Sequence, residues 1–102
     1  MIDVLEAATL EFIDAAVWYE ERAPGLGERF LTEIQAVFEL IAIMPMAGSP
    51  WLLRGVPEGT RHVPLKAFRH SVVYVTEPRL VVVAVMHSSR QPRYWIDRLQ
   101  GV

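Results

Sequence analysis

The apolar run at residues 80–86 constrains the fold of this chain more than any other stretch. It has no polar interruption and no helical period, and at this length it predicts a strand that is buried on both faces. Polar and cationic side chains follow it at once, from His87 to Tyr94. Because a rigid strand would deliver these groups to one place, we expect the functional surface just after the strand.

Two amphipathic helices are predicted in the first half of the chain. Apolar residues recur every three or four positions over residues 5–22 and again over residues 27–44. A proline and two glycines break the pattern at residues 23–27, and Pro45 stops the second helix. Such a short break predicts an antiparallel helical hairpin. Residues 2–5 fit either an edge strand or the lead-in to the first helix.

The second half of the chain supplies a sheet for the hairpin to cover. Residues 61–65 and 69–76 have strand patterns, and they should pair antiparallel with each other and with the apolar run as a meander. Pro64 cannot donate to a strand ladder, so it predicts an edge or a bulge. We therefore expect an α+β fold, with the helical hairpin packed on a small antiparallel sheet in a single domain spanning residues 1–102.

Two flanking segments complete the predicted fold. Residues 44–60 are rich in proline and glycine and predict a connecting loop, anchored by Trp51, Leu52 and Leu53 packing inward. After the last strand, Pro92 can open a short C-terminal helix that ends at Gly101. The residues predicted to dock this helix on the core are Trp95, Ile96 and Leu99.

Composition excludes several classes of site. The chain has no cysteine, which removes disulfides, thiolate metal sites and cysteine nucleophiles. Neither His70 nor His87 has an evident companion for a metal, so we expect no metal and no cofactor. The first residues are acidic where a signal peptide is basic, and no apolar run approaches the roughly 20 residues of a membrane span. These features predict a cytoplasmic protein with no membrane partner.

Charge is divided unevenly along the chain. Residues 1–50 carry nine acidic and two basic residues, a net charge of −7, whereas residues 51–102 carry eight basic and three acidic residues, a net charge of +5. The overall charge of −2 argues against a general nucleic-acid binder. A cationic second half suggests a polyanion or an acidic partner, and a solvated charged face is the alternative interpretation.

Three blocks of sequence resemble the toxins of type II toxin-antitoxin systems, the RelE/ParE family. They are WYEERAPGLGERFLTEI at residues 18–34, GTRHVPLKAFRHSVVYV at residues 59–75, and VMHSSRQPRYWIDRL at residues 85–99. The last block is the most specific, because it matches the family's ending of histidine, arginine, proline, tyrosine-tryptophan and arginine. The blocks occur in the family's order over nearly the whole chain, and they look closer to the ParE branch.

The resemblance implies a growth-inhibiting toxin that a cognate antitoxin holds inactive in a toxin–antitoxin hetero-oligomer. ParE-like members are associated with poisoning DNA gyrase, whereas RelE-like members cleave messenger RNA on the ribosome. The RelE branch tends to use several basic residues for cleavage, but this chain has one lysine, Lys66, and an acidic pI of about 5.9. The lysine deficit favours the ParE-like target.

A ribonuclease would need a general base, an acid for the leaving oxygen and cations on the phosphate. The candidates are Arg61, Lys66, Arg69, His70, His87, Arg90 and Tyr94. In such a site Arg61 and Arg90 would hold the phosphate, a histidine would move protons, and Tyr94 would stack on a base or assist the acid. Structural histidines and a packing role for Tyr94 are the alternatives, and Arg93 could simply pair with Asp97.

A ParE-like toxin needs instead a cationic surface that binds its target protein. Arginine and tyrosine dominate such interfaces. The target-binding candidates are Arg61, Arg69, Arg90, Arg93 and Tyr94. A third hypothesis, a small adaptor domain without toxicity, remains open on the sequence alone.

Overall fold

The structure is a computed structural model that describes residues 2–102. The elements in chain order are β1 (Asp3–Val4), α1 (Glu6–Arg22), α2 (Leu26–Ile43), β2 (Ser49–Pro50), β3 (Thr60–Pro64), β4 (His70–Val75), β5 (Val81–His87) and a C-terminal 3-10 helix (Ile96–Gly101). The predicted α+β class, with a helical hairpin on a mostly antiparallel sheet, is confirmed.

The two helices approach closely at the hairpin. Gly25 precedes α2 with a φ of +87°, a left-handed conformation that glycine adopts without steric cost. The Glu20 carboxylate accepts hydrogen bonds from the backbone N–H groups of Gly25 (2.8 Å) and Gly27 (3.0 Å). A Cβ at Gly27 would lie 2.4 Å from the carbonyl oxygen of Ala16. The break therefore needs glycine at both positions, for the turn at one and for helix contact at the other.

The sheet has the strand order β1-β5-β4-β3-β2. All neighbours are antiparallel except β1 and β5, which run parallel with Asp3 opposite Val81 and Val4 opposite Val82. Residues 3–4 thus form an edge strand, which resolves the alternative left open by the sequence. The register between β4 and β5 shifts beyond Val73 so that Val83 is skipped, which is a β-bulge.

Both faces of the sheet are covered, which explains the unbroken apolar sequence of β5. On one face Val82 and Val85 pack against α1 and α2, whose buried side chains include Phe30 and Ile41. On the other face Val83 packs beneath the fully buried Trp95 of the C-terminal segment. The buried run and the docking role of Trp95 are as predicted.

The connecting loop departs from prediction at Leu52. Trp51 is partly buried and its ring lies 5.9 Å from that of Trp95, but Leu52 is 94% exposed. The backbone N–H of Trp51 donates to the Thr60 carbonyl (2.9 Å), which continues the pairing of β2. Neighbouring side chains of an extended segment point to opposite sides, so an inward Trp51 turns Leu52 outward. The prediction that all three apolar residues pack inward was wrong for Leu52.

Two further details refine the predictions. Pro64 ends β3 opposite Ser71, beyond the two residues of β3 that β2 covers, so Pro64 lies at an open edge and the bulge is elsewhere. The C-terminal helix is 3-10 rather than α, and it starts at Ile96, after turns that begin near Pro92.

No helix in residues 2–102 is long and apolar enough to cross a membrane.

Candidate functional site

One end of the sheet gathers most of the predicted site residues. Strands β3 and β5 both run antiparallel to β4, so β3 and β5 end where β4 begins. His70 and His87 are opposite each other in register at that end. The β3–β4 turn brings Lys66 and Arg69 to the same end, and Arg90 follows three residues after β5. We call these three exposed cations, Lys66, Arg69 and Arg90, the cationic rim.

His70 is built into the core beneath this rim. The residue is 8% exposed, and its ring lies 5.1 Å from that of Phe30, centroid to centroid. The Tyr19 hydroxyl is 3.4 Å from its Nδ1 atom. Burial, with the nearby His87 adding to it, lowers the pKa of His70 to about 4. His70 is therefore neutral near pH 7 and has the character of a structural histidine.

His87 is more accessible and its tautomer follows from its contacts. The backbone N–H of Ser89 donates to Nδ1 (3.0 Å), and Ser89 Oγ lies 2.8 Å from the same nitrogen. A backbone N–H can only donate, so Nδ1 is an acceptor and the neutral ring carries its proton on Nε2. This leaves an N–H on Nε2 as the donor that His87 can offer to a partner.

An open cavity of about 720 Å³ lies beside the two histidines. Its walls include Trp18, Tyr19, Phe68 and Arg69. The guanidinium of Arg22 lies 3.8 Å from the centre of the exposed Trp18 ring, a cation–π contact. The cavity is large enough for a protein side chain or a small ligand. Within residues 2–102, no group of three or more histidine, aspartate or glutamate side chains is arranged to hold a metal.

Tyr94 belongs to a hydrogen-bonded network with Glu11 and Arg98. Its hydroxyl donates to Glu11 Oε2 (2.5 Å), and Arg98 donates to both oxygens of the same carboxylate (2.9 and 3.0 Å). Burial and the bond to Glu11 raise the pKa of Tyr94 far above its usual value, and the Glu11 bond raises the pKa of Arg98. The phenolic proton is thus committed to Glu11, which disfavours the predicted role of Tyr94 as an acid.

Arg90 rests on the outer side of this network. Its guanidinium carbon lies 4.0 Å from the centre of the Tyr94 ring, and that of Arg98 lies 5.2 Å from it. Arg90 is exposed, as expected for a residue that contacts a partner. Stacking on an aromatic face orients a guanidinium without neutralising it. The structure therefore presents Arg90 as a preoriented, accessible cation.

Arg61 and Arg93 are separated from the cationic rim. Arg61 is opposite Tyr74, which is opposite Val82, so it lies roughly 17 Å along the sheet from His87. It donates to the carbonyls of Gly48 (2.6 Å) and Met46 (3.3 Å). A phosphate held jointly by Arg61 and Arg90, as predicted for a nuclease, does not fit this geometry.

Arg93 lies on the side of the connecting loop. It donates to the Arg54 carbonyl (2.8 Å), and in residues 2–102 it makes no ion pair with Asp97. Its predicted role in target binding stays a prediction, with one part of its guanidinium already engaged.

Sequence reasoning missed Glu11 and Arg98. Position 11 lies one helical turn from Ala8 and from Ala15, both of which contact the core. An acidic residue at the border of a buried stripe is a signal that could have found it, because a buried carboxylate needs a partner. The partner itself lies 87 residues away and no local pattern reveals it.

The fold and this site define a small α+β protein with a cationic end and no evident metal centre in its described residues. The sequence profile of the ParE toxin of type II toxin-antitoxin systems, parDE, matches residues 2–92. The chain therefore belongs to the ParE toxin family, and an antitoxin is its implied partner. A comparison with curated proteins finds no match.

Proposed function

We propose that this toxin inhibits growth in the cytoplasm by binding and poisoning DNA gyrase, and that a cognate antitoxin neutralises it. The observation that carries the proposal is the exposed Arg90, which stacks on Tyr94 at the end of the buried strand β5. An arginine held in one orientation loses less side-chain entropy on binding than a free one. Arginine and tyrosine are also the residues most often responsible for binding energy at protein interfaces.

The state of the nuclease candidates supports a binding role over a catalytic one. A ribonuclease needs a base and an acid that can exchange protons near neutral pH. His70 is buried and neutral there, and the Tyr94 proton is committed to Glu11. Arg61 lies toward the other end of the sheet, on loop carbonyls. A protein-binding surface requires none of these groups to react.

A ribosome-dependent ribonuclease is the second candidate, and one observation favours it. His87 can donate from Nε2 at the end of the sheet that also carries Arg90 and Lys66. These three groups could contact a phosphate, although they leave the general base unassigned. The two candidates make opposite predictions for transcripts and for DNA supercoiling.

The test compares the wild-type chain with Arg90→Ala. The chain is added to purified bacterial DNA gyrase and relaxed plasmid, and supercoiling is measured; transcript integrity is followed during controlled expression. We expect supercoiling inhibition with intact transcripts, and we expect Arg90→Ala to weaken inhibition by roughly 30-fold. Cleaved transcripts with unaffected gyrase would replace this proposal with the ribonuclease.

The matched control is Arg79→Ala. Arg79 precedes β5 as Arg90 follows it, and its exposed side chain pairs with Asp3 (2.9 Å) at the opposite end of the strand. Exposed ion pairs contribute little to stability. Inhibition equal to that of the wild type is expected for Arg79→Ala, and an equal loss in both variants would indicate a general charge effect.

A further inference from the structure

We propose that Glu11 is the positioning residue of the target-binding surface: its carboxylate fixes the Tyr94 ring, and the ring in turn orients the guanidinium of Arg90. The inference rests on the proposed function, since it assigns Arg90 to the target. Glu11 itself is largely buried, with 17% of its side chain exposed, and therefore acts through Tyr94 rather than on the target.

The Glu11 carboxylate is saturated with donors. Oε1 accepts from the backbone N–H of Val85 (3.0 Å) and from Arg98 Nη1 (2.9 Å). Oε2 accepts from the Tyr94 hydroxyl (2.5 Å) and from Arg98 Nη2 (3.0 Å). A carboxylate offers about four lone-pair sites, and all four are used here. Rotating the carboxylate would break several bonds at once, so its orientation is fixed.

These bonds join three parts of the fold. Glu11 lies on α1, Val85 on β5, and Tyr94 with Arg98 in the C-terminal segment. Arg98 also donates to the carbonyl of Val83 (3.0 Å), the residue skipped at the β-bulge. Since β1 ends opposite Val82, side chains rather than a neighbouring strand satisfy these backbone groups of β5. Glu11 thereby ties the C-terminal segment to rigid elements.

The orientation is passed from the carboxylate to Arg90 through the Tyr94 ring. The hydroxyl bond to Glu11 fixes one end of the ring, and the Arg98 guanidinium lies 5.2 Å from its centre. The Arg90 guanidinium carbon lies 4.0 Å from the same centre. The backbone of Arg90 is held by its N–H bond to the His87 carbonyl (3.0 Å). With backbone and ring both fixed, the ring becomes the main determinant of where the exposed guanidinium points.

Two substitutions interrupt this arrangement at different points. Glu11→Gln keeps the shape, but an amide has one oxygen and an NH₂ group that would face a donor, so about half of the four bonds are lost. Tyr94→Phe removes only the hydroxyl and leaves the ring available to Arg90. Tyr74→Phe is the matched control, because it also deletes a hydrogen-bonded tyrosine hydroxyl, and the two partners of that hydroxyl, the Gly48 N–H and the Pro45 carbonyl, lie away from the cationic rim.

A double-mutant cycle with Arg90→Ala separates positioning from general destabilisation. Gyrase inhibition is measured for Glu11→Gln and Tyr94→Phe alone and combined with Arg90→Ala. We expect each single variant to lose roughly fivefold to tenfold in affinity, and to lose less than about twofold further when Arg90 is already absent. Equal losses in both backgrounds, or no loss in either single variant, would overturn the proposal.

A second measurement on the free protein keeps the inference distinct from the proposed function. In NMR spectra the Arg90 side-chain protons should be shifted upfield by the Tyr94 ring, and the shift should shrink in Glu11→Gln and Tyr94→Phe but persist in Tyr74→Phe. Unchanged Arg90 signals in the first two variants would refute the positioning role. A wild-type chain that does not inhibit gyrase would instead refute the proposed function, while the NMR result would still decide the role of Glu11.

Discussion

Two tyrosine hydroxyls tie separate segments of the fold together, Tyr74 from strand β4 and Tyr94 from the C-terminal segment, and they do so with different partners. Tyr74 is fully buried; its hydroxyl donates to the Pro45 carbonyl (2.7 Å) and accepts from the Gly48 N–H (2.8 Å). Tyr94 is partly exposed, and its hydroxyl donates to the Glu11 carboxylate. The first tyrosine locks a loop through neutral backbone groups, whereas the second joins a charged network.

The difference lies in what each ring presents to solvent. The Tyr74 ring has no free face, so its hydrogen bonds can stabilise the fold but cannot meet a partner. The Tyr94 ring is partly exposed and carries the guanidinium of the exposed Arg90, whose central carbon lies 4.0 Å from the ring centre. A hydrogen-bonded tyrosine hydroxyl therefore stabilises the fold at Tyr74 and holds an arginine-bearing ring at the surface at Tyr94. The following predictions test that division, beginning with the largest effect.

Trp95 should matter to both regions, because it lies next to Tyr94 in sequence and its ring contacts Trp51 of the connecting loop. It is fully buried against the sheet. We expect Trp95→Ala to lower the free energy of unfolding by roughly 3–5 kcal/mol in denaturant titration. Trp18→Ala, a half-exposed tryptophan, should cost less than about 1 kcal/mol. A similar small cost for Trp95→Ala would show that the C-terminal segment does not hold the two regions together.

Removing the Glu11 carboxylate should be costly at the Tyr94 end. Glu11→Ala leaves Arg98, whose side chain is 23% exposed, without its partner, together with the Val85 N–H. We expect a loss of about 2–3 kcal/mol, less than for a fully buried ion pair because water reaches Arg98 in part. Glu33→Ala is the control, since Glu33 accepts backbone hydrogen bonds from Lys66 and Ala67 at a more exposed site. Equal thermal stability of the two variants would contradict the central role of Glu11.

Most of the fold follows from local patterns, but its shortest strands do not. Helical periodicity predicted α1 and α2 to within one residue of their observed ends, because residues that pack on the core recur along each helix, fully buried in most of α2 and partly buried at Phe12 and Tyr19 of α1. Strands β1 and β2 contain two residues each, and they exist only because β5 and β3 lie beside them. Leu52 shows the same limit, since its outward orientation depends on how Trp51 pairs with β3.

The candidate site was predictable only where strand topology determines which residues lie close together. A meander brings the start of β4 and the end of β5 together, so the proximity of His70 and His87 followed from topology. The same topology excludes Arg61, near the start of β3, from that end. The roles of Glu11 and Arg98 depend on a contact across 87 residues, which periodicity alone cannot reveal.

The rim end of the sheet, which contains His70, and the region beside the connecting loop, which contains His62, should also differ in their response to acid. His70, at the rim end, has its pKa lowered to about 4, chiefly by burial; His62, packed on Trp51 in the other region, has its pKa lowered by the same cause. As the pH falls, His70 of the unfolded chain binds a proton near pH 6.5, whereas His70 of the folded protein does so only near pH 4. The free energy of unfolding should therefore fall as the pH drops from about 6.5 toward 4. We expect His70 to lower the free energy of unfolding by up to about 2 kcal/mol over this range.

His70→Phe should flatten this pH dependence, because it removes the group that binds the proton. A phenyl ring can replace the imidazole among the aromatic rings of Tyr19, Phe30 and Phe68. The measurement is denaturant unfolding between pH 7 and pH 4. His62→Phe is the comparison and should flatten it less, since His62 is only partly buried. A larger effect from His62→Phe than from His70→Phe would contradict the prediction, because it would show that His62 dominates the loss of stability in acid.

The smallest expected effect on stability separates the two tyrosines most sharply. Tyr74→Phe leaves a buried N–H and a carbonyl unpaired, and Tyr94→Phe leaves one carboxylate oxygen with a single donor, so each should cost about 1–2 kcal/mol. On stability alone the two variants should be nearly indistinguishable. Gyrase inhibition should distinguish them, because only Tyr94 supports an exposed arginine. We expect Tyr74→Phe to inhibit supercoiling like the wild type once both samples are fully folded, and Tyr94→Phe to be weaker. Loss of inhibition in both variants, in proportion to their stability, would mean that Tyr94 is a second structural tyrosine and that Arg90 needs no ring to orient it.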